Sequence, residues 1–541
     1  MKKYLTLLLI IAALLPTFSV AAQDGDGLSG QIVVSFQSND TQTWEALCNA
    51  YMEIHPNVDC LVELKPSEGY QEWMRAQFAA GEPRADLVNG NVVSDLLNAE
   101  KFVDLVTYLE QENPYTEMPW EESFYIDSLY SSRDLIEDTM YVLNLDTVQV
   151  LWFYNKSIFE EVGITDVPVQ PTWDQFVEWA EKIDEAGYIP VAIEGTADSF
   201  WQLRMGWLMR AYSDQLTRHY QPMTHCQPDD YCFREGIDDI WEWDASDPFN
   251  DDPNKATFNG VRVDKAFYDG EFAIDGPEYR HMYEQMMRIF GPYTPEGWLG
   301  IQDAQPLFLT QKAAMWLDGS WFFTTFEKNI KSLAEGTYYQ DREGFEDYEY
   351  SEEEKAATVF ELGTFYHPTM ENPFSDAKTR TIEVNIGFWS VPVKDQAQTD
   401  LTMDFLMWAT SPEGFAIYME NKLDPDNLNG GVNGPPIVKG FELPEPFASR
   451  FAGATMIGNT QKPTGTMKGY SRGVGDYQPT VREWTDLSQQ LFGGDIDLDT
   501  FLANYQESIE GHFEEYLTEH LLWIDGVDAL EEPEKEPEKA D

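Results

Sequence analysis

The chain has 541 residues, enough for more than one hydrophobic core. Apolar residues make up 43% and aromatic residues 14%, which excludes wholesale disorder. With 96 acidic against 35 basic residues the net charge is −61, so nucleic acid and anionic membrane surfaces are poor partners.

Residues 1–22 read as a signal peptide, with Lys2-Lys3, an apolar run from Leu5 to Leu15, and the small residues Val20-Ala21-Ala22 at the cleavage site. Loss of the two lysines takes the charge from −61 to −63. Gly25, Gly27 and Gly30 match a dinucleotide fingerprint by letter, but they precede the first strand instead of following one. Gln31 to Phe36 is that strand. A helix follows with Trp44, Leu47, Cys48 and Tyr51 on one face, stopped by His55-Pro56-Asn57. Cys60 to Leu64 is the second strand, a helix carries Trp73, Met74 and Phe78, and Asp86-Leu87-Val88 leads into a third strand. Such alternation predicts a parallel α/β sheet. Ligands of such sheets sit beyond the carboxyl ends of the strands, which nominates Asn39 and Asp40 after the first strand and Asn91 after the third. Helix capping is the competing role for Asn39 and Asp40.

Val148 to Tyr154 is rich in β-branched and aromatic residues and reads as a buried strand. Thr172 and Gln175 then make a capping box for a helix with Phe176, Trp179, Ala180 and Ile183 on its apolar face. Phe153-Tyr154-Asn155-Lys156, then Phe159, Gly163 and Pro171-Thr172-Trp173-Asp174, resembles the extracellular solute-binding proteins of family 1, the sugar-type receptors of ABC importers. The resemblance continues through Lys312-Ala313-Ala314-Met315 with Gly319 and Trp321, where Gln311 replaces the usual glycine. It extends to Asp404–Thr410 before Ser411-Pro412-Glu413, and to the turn from Gly430 to Pro436. Two departures are the absence of a cysteine for lipid attachment near residue 22 and of a tryptophan near Gly90.

The resemblance implies an α/β fold of two lobes with a hinge and an interlobe cleft. It implies a binding protein without cofactor or bound metal, a carbohydrate ligand, the membrane subunits of an ABC importer as partners, a monomer, and an extracytoplasmic location. The expected division is a first lobe over 23–145, a second over 146–355, a return to the first over 356–420, the second again over 421–530, and a disordered acidic tail over 531–541. The ligand-facing residues expected are Asn39, Asp40, Asn91, Asp146, Asp198, Trp201, Trp321 and Asn433. Asp198 with Trp201 pairs a carboxylate with a flat ring, the combination that grips a sugar's vicinal hydroxyls and its C–H face.

Cys48 and Cys60 would be packed neighbours in this kind of fold, so a disulfide is expected there, worth roughly 3 kcal/mol. Cys226 and Cys232 would close a polar loop, with a metal site including His225 as the rival. Residues 213–262 read as an insertion. Asp424–Gly430 has carboxylates and Asn but not at the positions of a calcium loop, and Asp495-x-Asp497-x-Asp499 fits better yet lacks the following glycine and the distal Glu, with helix capping by Asp499 or Thr500 as the stronger reading. Two other functions fit the composition: a receptor for a cationic or peptide solute, and a secreted glycoside hydrolase built on two carboxylates.

Overall fold

In the computed structural model, residues 27–540 are described apart from 66–68, 94–95, 97–100, 126–128, 130–132, 134–137, 341–343, 428 and 453–456. The expected signal segment therefore lies outside the described residues.

The first lobe grows from β1 (Gly30–Ser35), β2 (Val58–Val62) and β3 (Leu87–Asn89), which pair in parallel. The helix Thr41–Ile54 makes the crossover from β1 to β2 and buries Trp44, Leu47, Cys48 and Tyr51 at helical spacing. The disulfide Cys48–Cys60 ties that helix to β2. A small hairpin, β4 (Glu112–Asn113) and β5 (Met118–Pro119), lies outside the sheet.

The second sheet is built on β6 (Asp146–Asn155), whose ten residues are buried except Tyr154. β7 (Ile189–Ala192) and β8 (Ala313–Gly319) extend it on one side. β9 (Leu362–Phe365) and β10 (Glu383–Ile386) also pair antiparallel with β6. The capping box of Thr172 and Gln175 starts the helix Trp173–Glu185, which covers this sheet through Phe176, Trp179 and Ile183. Gln311, at the position of the usual glycine, takes φ 60, the left-handed conformation a glycine adopts without strain. β11 (Trp389–Ser390) returns to the first sheet, whose order is β11-β3-β1-β2.

Three segments join the lobes. Leu143 pairs with Trp389 in the first lobe, while residues 146–149 pair with β10 in the second. The returning chain turns between β10 and β11 at Gly387 and Phe388, both with positive φ (121 and 56). The third segment lies along the first: the Thr147 amide donates to Pro435 O (3.0 Å) and the Ile437 amide to Leu145 O (2.8 Å).

The return to the first lobe thus falls at 387–388 and not at 356, because β9 and β10 hydrogen-bond to β6. The next departure also comes later than 421. The helix Pro412–Leu423 packs on the first lobe's core, as do Val432, Ile437 and Val438, while Phe451 belongs to the second lobe.

The insertion is held by a buried ionic cluster. Arg380 donates to Asp214 (2.7 and 2.9 Å) and to Asp251 (2.5 Å), and Arg218 reaches Ala245 O (3.2 Å). Burial alone would raise the Asp214 carboxyl, but Arg380 and Arg218 outweigh it and hold it at about 2. The disulfide Cys226–Cys232 consumes both thiols of the rival metal site.

The acidic tail is docked, contrary to the disorder its composition suggests. The Tyr231 amide donates to Glu534 O (2.8 Å), Asn259 Nδ2 to Pro533 O (2.7 Å), and the Ile524 amide to Glu538 O (2.9 Å). Backbone carbonyls of the tail thus satisfy donors that the insertion would otherwise leave unpaired.

At Gly434 the third hinge segment touches the first. A Cβ there would lie 1.6 Å from Thr147 O. Gly434→Ala is expected to cost about 1–3 kcal/mol by forcing these segments apart, read as a lower urea midpoint with an unchanged m-value.

Candidate functional site

Where the chain crosses between the lobes, one face of the β6–β10 ribbon is polar and largely buried. Thr147, Gln149, Glu383 and Asn385 share one face of the β6–β10 ribbon by strand alternation and register. Thr147 Oγ1 donates to Asn385 Oδ1 (3.2 Å), and Tyr366 OH donates to Gln149 Oε1 (3.0 Å). Burial pushes the Glu383 carboxyl up to about 7, opposed by the Gln149 amide and Lys462. Asp146 is on the opposite face. Burial raises its carboxyl to about 6, against the hydrogen bond from Asn433 Nδ2 (3.0 Å) and the charge of Lys422.

β8 ends at Gly319, and the chain turns through Ser320 and Trp321 into the helix Phe322–Glu335. Ser320 Oγ donates to Asn433 O (2.6 Å) and accepts from the Gln149 amide (3.1 Å), so it locks this turn to two hinge segments. A side chain at 319 would collide with the Trp321 ring at 2.2 Å, so Gly319 is what lets that ring fold back. Trp321 is half-buried and meets Trp207 edge to face, with ring centroids 6.0 Å apart.

Behind these rings lies Arg204. Its guanidinium stacks 4.5 Å from the Trp316 ring and 5.3 Å from the Trp207 ring. Asp318 at 3.5 Å and Glu194 at 3.8 Å neutralise it. Trp316 Nε1 donates to Asp318 (3.1 Å), so indoles, guanidinium and carboxylates fix one another's orientation.

The expected residues fall into three groups. Asp146 and Asn433 are bonded to each other at the hinge, and Trp321 adjoins them through Ser320. Asp198 and Trp201 share the short helix Ala197–Trp201, with Asp198 exposed and Trp201 half-buried. Asn39 and Asn91 are exposed at the ends of β1 and β3. Asp40 is committed elsewhere. It caps the first helix at the Thr43 amide (3.3 Å), pairs with Lys422 (2.8 Å) and accepts from Asn427 (2.8 Å). Burial would raise its carboxyl, but those partners together hold it below the usual range.

Arg204, Trp207, Gln149 and Glu383 escape the sequence reading. The helix Arg204–Thr217 is buried nearly all round, so no polar stripe marks which residues face the cleft. Surface cavities of ≈ 410 Å³ at Trp243–Ser246 with Asn372–Asp376, and of ≈ 510 Å³ around Glu483 and His512, lie away from the hinge. No helix among the described residues is long and apolar enough to cross a membrane.

Residues 37–414, more than half of the chain, match the family model described as bacterial extracellular solute-binding protein. The chain belongs to this family. Among solved structures it is similar to a family 1 extracellular solute-binding protein from Bifidobacterium longum subsp. infantis (TM-score 0.53, 12% identity, covering 90% of this chain and 100% of that one). It is also similar to a chitin oligosaccharide binding protein (0.53, 16%, 89% and 98%) and to a sugar transporter protein from Rhizobium etli in an open conformation (0.51, 16%, 89% and 99%). No curated protein sequence matches it. At these identities the structures establish the two-lobe fold of this solute-binding protein and nothing finer.

Raising the Glu383 carboxyl means that the folded chain holds a proton the unfolded chain has released. Stability from this group therefore falls as pH climbs from the ordinary 4.5 to about 7. Glu383→Gln is expected to be more stable than the parent by at most about 3 kcal/mol above pH ~8, with the gain gone near pH ~4. Urea unfolding at both pH values measures it, and a gain independent of pH would contradict the assignment.

Proposed function

We propose that this solute-binding protein captures a saccharide between its lobes by closure about the three-segment hinge and hands it to the membrane subunits of an ABC importer, outside the cytoplasm. The observation that carries the reading is the half-buried ring of Trp321, backed by the buried Trp207, beside the polar face of the hinge strands. Flat rings pack on the C–H faces of pyranoses, while carboxylates and amides take the hydroxyls. A catalytic reading has less support: the family is one of binding proteins, and the hinge carboxylates Asp146 and Glu383 point to opposite faces of the ribbon instead of toward one scissile bond.

Closure suits the architecture. Domain closure is absorbed by a few residues that change φ/ψ. Gly387 and Phe388, both at positive φ between two sheets, are the natural pivots.

In thermal unfolding against mono- and oligosaccharides, polyamines and peptides, a midpoint shift is expected with one saccharide class. Trp321→Ala is expected to weaken that ligand about tenfold or more, equivalent to roughly 1.4 kcal/mol, at little cost to the unliganded midpoint because the ring is half-buried. A shift with polyamines or peptides alone would replace the ligand class. Consumption of the sugar would defeat the reading.

A further inference from the structure

Two arginines stand together on the second lobe's side of the hinge. Arg210 lies one turn beyond Trp207 on the helix Arg204–Thr217. Its Nη1 donates to Gln461 Oε1 (2.8 Å), a neutral acceptor, while its Nε is buried without an acceptor. Gln461 is anchored through Asn459 Oδ1, which accepts from the Gln461 amide (2.7 Å) and from the amide of Glu383 on the hinge strand (3.2 Å). This chain of contacts ties Arg210 to the hinge strand on one side, with Trp207 one turn away along its helix on the other.

Arg472 is its charged neighbour. One Arg472 nitrogen donates to Trp201 O, and the other pairs with Asp476 (2.8 Å), whose side chain is 56% exposed. Arg210 makes no ion pair among the described residues. Burial and the repulsion of Arg472 both lower its pKa, to about 9, and Asp476 offsets them incompletely. Lys468 adds a further cation close by, held by the carbonyls of Thr460 and Lys462.

A partly buried guanidinium without a carboxylate is costly, and in a chain of net charge −61 acidic side chains are plentiful. Elsewhere in this lobe the buried arginines are matched: Arg204 with Asp318 and Glu194, Arg380 with Asp214 and Asp251. Arg234 also lacks an ion pair, but its donors go to Thr257 Oγ1 (2.6 Å) and to the Pro253 carbonyl, whereas Arg210 has only the neutral Gln461 and stands one turn from Trp207. We propose that Arg210, assisted by the field of Arg472, is an oxyanion subsite, so that the saccharide captured here carries a carboxylate or a sulfate ester. The proposal rests on the saccharide reading above. Guanidinium suits either group, because its planar donors bind two oxygens of one oxyanion at once.

Isothermal titration with uronate-containing and sulfated oligosaccharides, each beside its neutral counterpart, and with inorganic sulfate alone, tests this. An acidic saccharide is expected to bind about tenfold or more tightly than its neutral counterpart. Arg210→Gln should abolish the preference, Arg210→Lys should keep part of it, and raised salt should reduce it. Which arm responds separates carboxylate from sulfate ester. Equal binding of neutral and acidic members, or an unchanged preference in Arg210→Gln, would overturn the subsite and leave the saccharide reading standing. Inorganic sulfate stabilising as well as the acidic saccharides would overturn it too, since the anion then need not be borne on a sugar. Binding by no saccharide defeats both readings. Should Arg210→Gln fail to fold, the parent's discrimination between acidic and neutral members at low and high salt decides the matter.

Discussion

Backbone pairing across the hinge is the constraint on which the rest depends. Three chain segments run side by side between the lobes, and their amides and carbonyls are satisfied by one another: Leu143 with Trp389, Leu145 with Ile386 and Ile437, Thr147 with Pro435. Buried peptide groups must be paired, so the ribbon cannot fray without cost. Its turn between the sheets is made by two consecutive residues at positive φ, Gly387 and Phe388. In the proposed closure, two lobes with separate cores would move as bodies about this turn. The lobes also touch beside the ribbon: Thr324 donates to Val432 O (3.0 Å) and Lys328 to Asn427 O (2.8 Å). Those polar contacts exchange with water at lower cost than apolar packing would, which suits a surface that must open.

Much of the fold is legible in the sequence because it is local. The β-branched and aromatic run Val148–Tyr154 is a strand, and the Thr172–Gln175 box starts a helix where its letters say. What is not legible is partner choice. β9 and β10 have four residues each, and nothing within them says whether they join the first sheet or the second. Pairing is a non-local property, so pattern alone places the return to the first lobe about thirty residues too early. The tail shows the same limit. Its composition, rich in Glu, Pro and Lys, is that of a disordered segment, yet its backbone carbonyls have specific donors on the insertion.

The site divides along the same line. Asp146 and Asn433 are hydrogen-bonded because the third hinge segment lies along the first and brings residues 287 positions apart into contact. Asp40 had two readings, and its position at the helix N-terminus beside Lys422 commits it to capping. Trp207 and the arginines on its helix carry little signal in the sequence, since a helix buried nearly all round has no amphipathic stripe to orient it.

Charge acts in this molecule at two ranges. At long range the net −61 gives an acidic exterior that repels anions, but at physiological ionic strength that field decays within about 8 Å. At contact, a partly desolvated guanidinium is screened far less, and one of its donors is fixed in direction by Gln461. A ligand oxyanion that reaches the cleft would therefore meet attraction the exterior does not predict. Repulsion outside slows encounter, whereas recognition inside governs how long the ligand stays, and affinity differences among related complexes reside mostly in that second rate. An acidic receptor for an acidic solute is thus physically consistent. In the proposed reading, the few cations beside the hinge set ligand choice against the repulsion of the exterior.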